Sequence, residues 1–217
     1  MSKRMAAWAL GLCVVTSMAW AASPMDSGVA ELQHDWESVR YQTPTAEKPE
    51  RWARLATKAQ QVVAQHPQRA EPLIWQGIVL SSWAADKGGW GALSLVKEAK
   101  VLYEKALALN PNALEGSAYN SLGVLYYKVP GWPIGFGDKD KARTLLEQAL
   151  QINPQGIDPN FFYGEYWAEQ DRADRAVTYL EHALAAPPRP GRHIADTGRK
   201  EEIRALLNTL KPSSPAR

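Results

Sequence analysis

The sequence predicts an all-α fold: a solenoid of about four helical hairpins followed by a C-terminal capping helix. Three observations lead there. Apolar residues stand at helical spacing, one pattern recurs along the chain, and a proline follows each copy at a fixed distance. Ala99, Leu102, Tyr103, Ala106 and Leu107 keep the 3-and-4 spacing that gathers side chains on one helical face. Ala142, Leu145, Leu146, Ala149 and Leu150 repeat it 43 residues later, and Ala176, Leu180, Ala183 and Leu184 repeat it after a further 34. Pro111, Pro154 and Pro188 each stand five residues behind the later alanine of their copy. Proline there ends the helix and bars the preceding residue from helical geometry.

In the first repeat, about residues 28–67, the first helix rests on Leu32, Trp36 and Val39 and the second on Leu55, Ala59 and Val62 ahead of Pro67. The next three repeats, about 70–111, 116–154 and 157–190, carry a glycine in mid-helix: Gly77, Gly123 and Gly164, each beside large apolar residues. Glycine inside a helix costs ~1 kcal/mol relative to alanine. Its recurrence at one position therefore predicts close approach by a partner helix. The final helix, about 196–210, turns Ile203, Leu206, Leu207 and Leu210 inward and is expected to cap the array.

This pattern resembles the tetratricopeptide repeat, or TPR. Asn160, Tyr163, Gly164, Trp167, Ala176, Leu180, Ala183 and Pro188 match it without insertion. Tyr119, Leu122, Gly123, Tyr126, Ala142, Leu146, Ala149 and Pro154 match with seven extra residues between the helices; Leu73, Gly77, Leu80, Ala99, Tyr103, Ala106 and Pro111 match with ten. The resemblance implies a curved array whose concave face and loops bind a partner protein. A narrower resemblance covers Gly131 to Ala142 and the Leu-x-x-Ala-Leu-x-x-Asn-Pro run behind it. These are similar to the T-components of TRAP-type solute transporters (TatT-like). That similarity implies work beside a periplasmic solute-binding protein and a small apolar solute as ligand. The T-components are typically lipoproteins, and here bulky Leu12 precedes Cys13 where a lipobox has a small residue.

Residues 1–21 read as a cleavable secretory signal. Lys3 and Arg4 supply the positive start, Ala6 to Met18 the apolar stretch, and Ala19-Trp20-Ala21 the small residues of a cleavage site. The stretch is shorter than the ~20 residues of a membrane-spanning helix. The expected location is the periplasm, with residues 22–217 forming the solenoid and no membrane span. Cleavage would remove Cys13, the one cysteine, and two of the 25 basic residues, leaving them in balance with the 23 acidic ones. Such a chain offers no thiol chemistry and no cysteine-based zinc site. Its neutral balance argues against nucleic acid as a partner.

No catalytic constellation emerges. His34, His66, His182 and His193 form no His-Glu-x-x-His pair. His66 occupies the slot before Pro67 that Asn110 and Asn153 fill before their prolines, so it reads as helix-end punctuation. His182 reads as solvated or capping. Gly135-Phe136-Gly137-Asp138 opens a helix without the Gly-Lys-Ser/Thr of a phosphate loop, and Asp138 reads as an N-cap. Asp138 and Asp140 alternate like the start of a calcium loop, yet Ala149 stands at the twelfth position, where a glutamate belongs. The protein is expected to be non-enzymatic, with no cofactor and no metal.

Two insertions, Ala84 to Ser94 and Val129 to Lys139, fall in the same turn of successive repeats and so along one edge. Each sets a tryptophan among glycines. The expected contact residues are Trp83, Trp90, Tyr126, Tyr127, Trp132 and Phe136, because aromatics supply much of the energy of binding hot spots. Two readings stay open. The tryptophans either fold back and shield the edge of the core, or present a binding surface or a lid over an apolar pocket. The stretch from Pro187 to Arg192 is expected to be a stiff connector whose arginines balance carbonyls at the preceding helix end. Engagement of an acidic partner or of membrane head groups is the alternative.

Overall fold

The computed structural model describes residues 24–210; the expected signal segment, with Cys13, lies outside them. Every regular element among the described residues is helical: α1 (Pro24–Tyr41), α2 (Lys48–Gln65), α3 (Ala70–Lys87), α4 (Gly89–Leu109), α5 (Ser117–Lys128), α6 (Lys139–Ile152), α7 (Ile157–Glu169), α8 (Ala173–Ala185) and α9 (His193–Leu210), with one short 3-10 turn at Ala113–Gly116. None of these helices is long and apolar enough to cross a membrane. Four consecutive hairpins, α1–α2 through α7–α8, stack so that α1, α3, α5 and α7 neighbour one another. Each second helix packs on its own first helix and on that of the next hairpin.

Local sequence explains the boundaries. In α2, Trp52, Leu55, Ala59 and Val62 form the buried stripe, a proline sits in the first turn, and His66 closes the end with its N–H on the Val62 carbonyl. Asn110 and Asn153 do the same for α4 and α6, donating to the Ala106 and Ala149 carbonyls. Asp138 caps α6 by accepting the Lys141 N–H at 3.0 Å, which satisfies one of the first-turn donors.

The mid-helix glycines sit where the hairpins close. A Cβ on Gly77 would come 2.5 Å from the Tyr103 ring, and on Gly123 or Gly164 it would come 2.9 Å from Leu146 or Leu180. Tyr103, Leu146 and Leu180 occupy one repeat position and are fully buried. A fully buried residue of this size contributes about 1.5–3 kcal/mol, which outweighs the cost of glycine in the helix.

The two insertions fold differently from each other, and the first departs from the expected loop. Both flanking helices run into it, so α3 continues to Lys87 and α4 begins at Gly89. Gly88 and Gly89, with φ of 62° and 60°, reverse the chain. The residues around them, Ala84-Ala85-Asp86-Lys87 and Ala92 onward, contain no proline to stop a helix. The second insertion is a loop, because Pro130 and Pro133 interrupt it. It is pinned at both ends by Gly137 N–H to the Pro130 carbonyl and Asp138 N–H to the Tyr126 carbonyl.

Helix α9 does more than cap. It packs on α8 and α7 and then reaches α1, so the last helix of the array touches the first. Gly198 lies so close to Tyr41 that a Cβ there would be 2.3 Å from the ring. Ile203 and Leu207 complete the core on its inner side.

Candidate functional site

Closure by α9 converts the inner face of the solenoid into a half-enclosed groove of about 1520 Å³. Its apolar wall includes Trp75 and Ile78 of α3, Val124 of α5, Phe162 of α7 and Leu206 of α9. A polar stripe of Ser81, Ser117, Asn120 and Ser121 crosses the middle. The Ser81 hydroxyl shares a hydrogen bond of 3.0 Å with the buried Tyr103 hydroxyl. Asn120 is only 5% exposed, and its Oδ1 has no hydrogen-bond partner among the described residues. The Nε1–H of Trp75, a residue 4% exposed, is likewise unpartnered among them. A buried polar group without a partner costs about 1–3 kcal/mol. Such groups in the wall of a groove are therefore available for a ligand.

The far wall is ionic. Arg189 donates to Asp158 at 2.6 Å and to Asp196 at 2.7 Å. Arg199 donates to Asp158 at 2.9 Å and to Glu202 at 2.6 Å, while Arg40 of α1 reaches Glu202 at 2.8 Å. Burial alone would push the Asp158 carboxyl up, but Arg189 and Arg199 outweigh it and hold the group well below the usual carboxylate range. These contacts correct the expectation for the connector: its arginines do not balance the carbonyls of α8. Lys200 instead reaches the carbonyl of Ala186, the residue just past α8, at 3.4 Å. The fold-back of α9 over α7 brings Asp158 and Asp196 within reach of Arg189, and a charge-assisted bond is about twice as strong as a neutral one.

Of the six aromatic residues singled out in the sequence, Trp90 alone lines this groove. It stands at the start of α4 and is 81% exposed. Trp132 is 90% exposed on the loop, and Ile134 beside it is 53% exposed and also borders the groove. Phe136 turns inward and meets Tyr126 edge-on at 5.5 Å. Tyr126 and Tyr127 are buried and line a separate small hollow of about 360 Å³ behind the loop. Tyr127 donates to Glu165 at 2.6 Å, and burial together with that carboxylate pushes its hydroxyl up. Trp83 packs half-buried against the core with Lys87 over its ring. The structure thus joins Tyr126 to Phe136, sets Tyr127 beside Tyr126 in the small hollow, leaves Trp90 and Trp132 exposed at the two turns, and packs Trp83 against the core.

Trp36, Trp75, Asn120, Phe162 and Arg199 line the groove without being read from the sequence as contact residues, and Arg192 enters it from the connector. Asn120 did leave a signal. Aligned on the glycines, its position holds Ile74 and Phe161 in the neighbouring repeats, so a polar residue stands at a core register. Trp36 and Trp75 already meet at 6.0 Å between α1 and α3, and the return of α9 adds Arg199 to Phe162 and the connector's Arg192 to the two tryptophans.

No protein-family model matches the sequence, and no curated protein matches it either. Among solved structures, the chain is similar to TTC0263, a thermophilic TPR protein of Thermus thermophilus. The TM-score is 0.58 with 21% identity, over 85% of this chain and 80% of that one. It is also similar to MamA, at a TM-score of 0.45 and 18% identity over 78% and 94%. An all-α array of hairpins interlocked through recurring glycines, with the first of these likenesses, defines the class: the chain has the TPR fold.

Proposed function

We propose that this is an exported, non-enzymatic TPR scaffold of the periplasm that binds a partner protein along the rim made by the α3–α4 and α5–α6 turns. The observation that carries the reading is the exposure of Trp90, Trp132 and Ile134 at these two turns, with Trp90 and Ile134 both bordering the groove. Large apolar side chains gathered in solvent mark an interaction surface, and tryptophan is the residue type most enriched at binding hot spots. Export rests on the signal read in residues 1–21.

A second reading has its own support. The half-enclosed groove closed by α9 has the apolar wall of a small-molecule site, and it suits a protein that holds a small apolar solute for a solute-binding protein, as in the TRAP T-component-like reading.

Native mass spectrometry of the protein taken gently from its own source separates the two. A second polypeptide that is lost in the Trp90→Ala/Trp132→Ala double variant, with folding intact, supports the scaffold. A bare mass, or a double variant that no longer folds, overturns the rim as a binding surface. A small-molecule adduct that vanishes on denaturation turns the reading to the solute. The same spectrum reports export, since the mature chain should begin at Ala22.

A further inference from the structure

Three arginines enter the groove from the α8–α9 junction, and they are not equally engaged. Arg189 and Arg199 are each hydrogen-bonded to two carboxylates. The Arg192 guanidinium donates no hydrogen bond among the described residues, and its Nε is buried without a partner. The nearest carboxylate, Glu37, stands 3.6 Å from that nitrogen and already accepts the Ala195 N–H at 3.3 Å and faces His34 at 3.5 Å. The Arg192 guanidinium lies over the rings of Trp75 at 5.2 Å and Trp36 at 5.9 Å. Both tryptophans line the groove with it, and the Trp75 Nε1–H is unpartnered too. Burial and the neighbouring charge of Arg189 lower the Arg192 pKa from its ordinary value, against the opposing pull of Asp158, Glu37 and Asp196.

A guanidinium that is desolvated, stacked on aromatics and left without a side-chain hydrogen bond suits one planar anion. A single negative charge suffices, because the other cations of this wall are already paired. The surface leading away from it is apolar: Ile78 follows Trp75 one turn along α3, facing the same groove. We propose that this end of the groove binds an amphipathic carboxylate, with its head on Arg192 and Trp75 Nε1 and its apolar body along α3. This deepens the solute reading of the previous section, giving that solute an acidic head, and it does not depend on the rim.

The test is calorimetric titration of the intact protein with decanoate and, as a head-group control, decanol. Wild-type protein should bind decanoate about tenfold or more tightly than decanol, the range expected of a charge-assisted hydrogen bond. Arg192→Gln should abolish that preference and leave decanol affinity unchanged. Arg192→Lys, which keeps the charge but not the planar fork, should fall between. Arg54→Gln on the outer helix α2 should bind as wild type. Equal affinities for the two probes would overturn the acidic head while leaving the apolar solute reading intact. Absence of binding by either probe, or a preference that survives Arg192→Gln, would overturn the site. Should Arg192→Gln not fold, the wild-type ratio and the lysine variant decide between the same outcomes.

Discussion

Trp132, on the rim, lies almost wholly in solvent, and the backbone of its loop is held by hydrogen bonds at the loop's ends. Arg199, on the opposite wall, is buried, grips two carboxylates and covers the rings of Phe161 and Phe162 at 4.4 and 4.6 Å. One side of the groove is apolar, exposed and uncommitted; the other is charged, buried and committed to the fold. The contrast separates two uses of costly side chains. A buried charge is retained here because its partners hold α9 against α1 and α7. An exposed tryptophan contributes little to folding, so its place in the sequence calls for a different account.

The contrast can be broken from the wall side first. Asp158→Asn leaves Arg189 and Arg199 without their shared carboxylate and should cost ~3 kcal/mol, at the low end of what breaking a buried pair costs. For a chain of this size, thermal denaturation should show a fall of about 6–12 °C. The same carboxyl gives a pH signature. Its pKa is depressed by folding, so its contribution is complete above the unfolded value near 4 and is lost as pH falls below it. Between about pH 4 and pH 2 wild type should therefore lose more stability than Asp158→Asn, with both measured by urea unfolding.

A smaller effect comes from the two turns of the rim. A Cβ on Gly137 would stand 1.9 Å from the Val129 carbonyl oxygen, so Gly137→Ala forces the loop apart and should cost ~2 kcal/mol. Gly89→Ala meets nothing within 4 Å and bears only the strain of its φ of +60°, about 1 kcal/mol. Reversal of that order would show that the α3–α4 turn, not the α5–α6 loop, fixes the rim. The smallest change is expected from Trp90→Ala with Trp132→Ala, whose melting should stay within about 0.5 kcal/mol of wild type, as for exposed sites generally. A large loss there would make the rim tryptophans part of the fold.

The hairpins were legible because their physics is local. Spacing of Ala, Leu and Tyr, glycines opposite Tyr103, Leu146 and Leu180, and Asp138 as a cap all act within some forty residues of chain. The insertions were half legible. Prolines announced the loop at 130–133, but glycines alone at 88–89 did not reveal that both helices would continue up to them. The ionic wall was hidden for a different reason. Glu37 meets Ala195 and Arg192 across more than 150 residues, and Arg40 meets Glu202 across 162. No periodicity encodes a contact of that range; it follows from the curvature accumulated over four hairpins. Asn120 was the exception, a polar residue at a core register that repeat alignment alone exposes.

The contact of α9 with α1 also constrains how this protein can change over generations. An open solenoid, in which each repeat touches only its neighbours, tolerates duplication or loss of a unit, because the ends are free to move. Here a hairpin added or removed would carry Glu202 and Gly198 away from Arg40 and Tyr41 and leave both faces unmatched. The lineage is therefore expected to hold its number of hairpins fixed while the two turns on the rim vary in length and sequence.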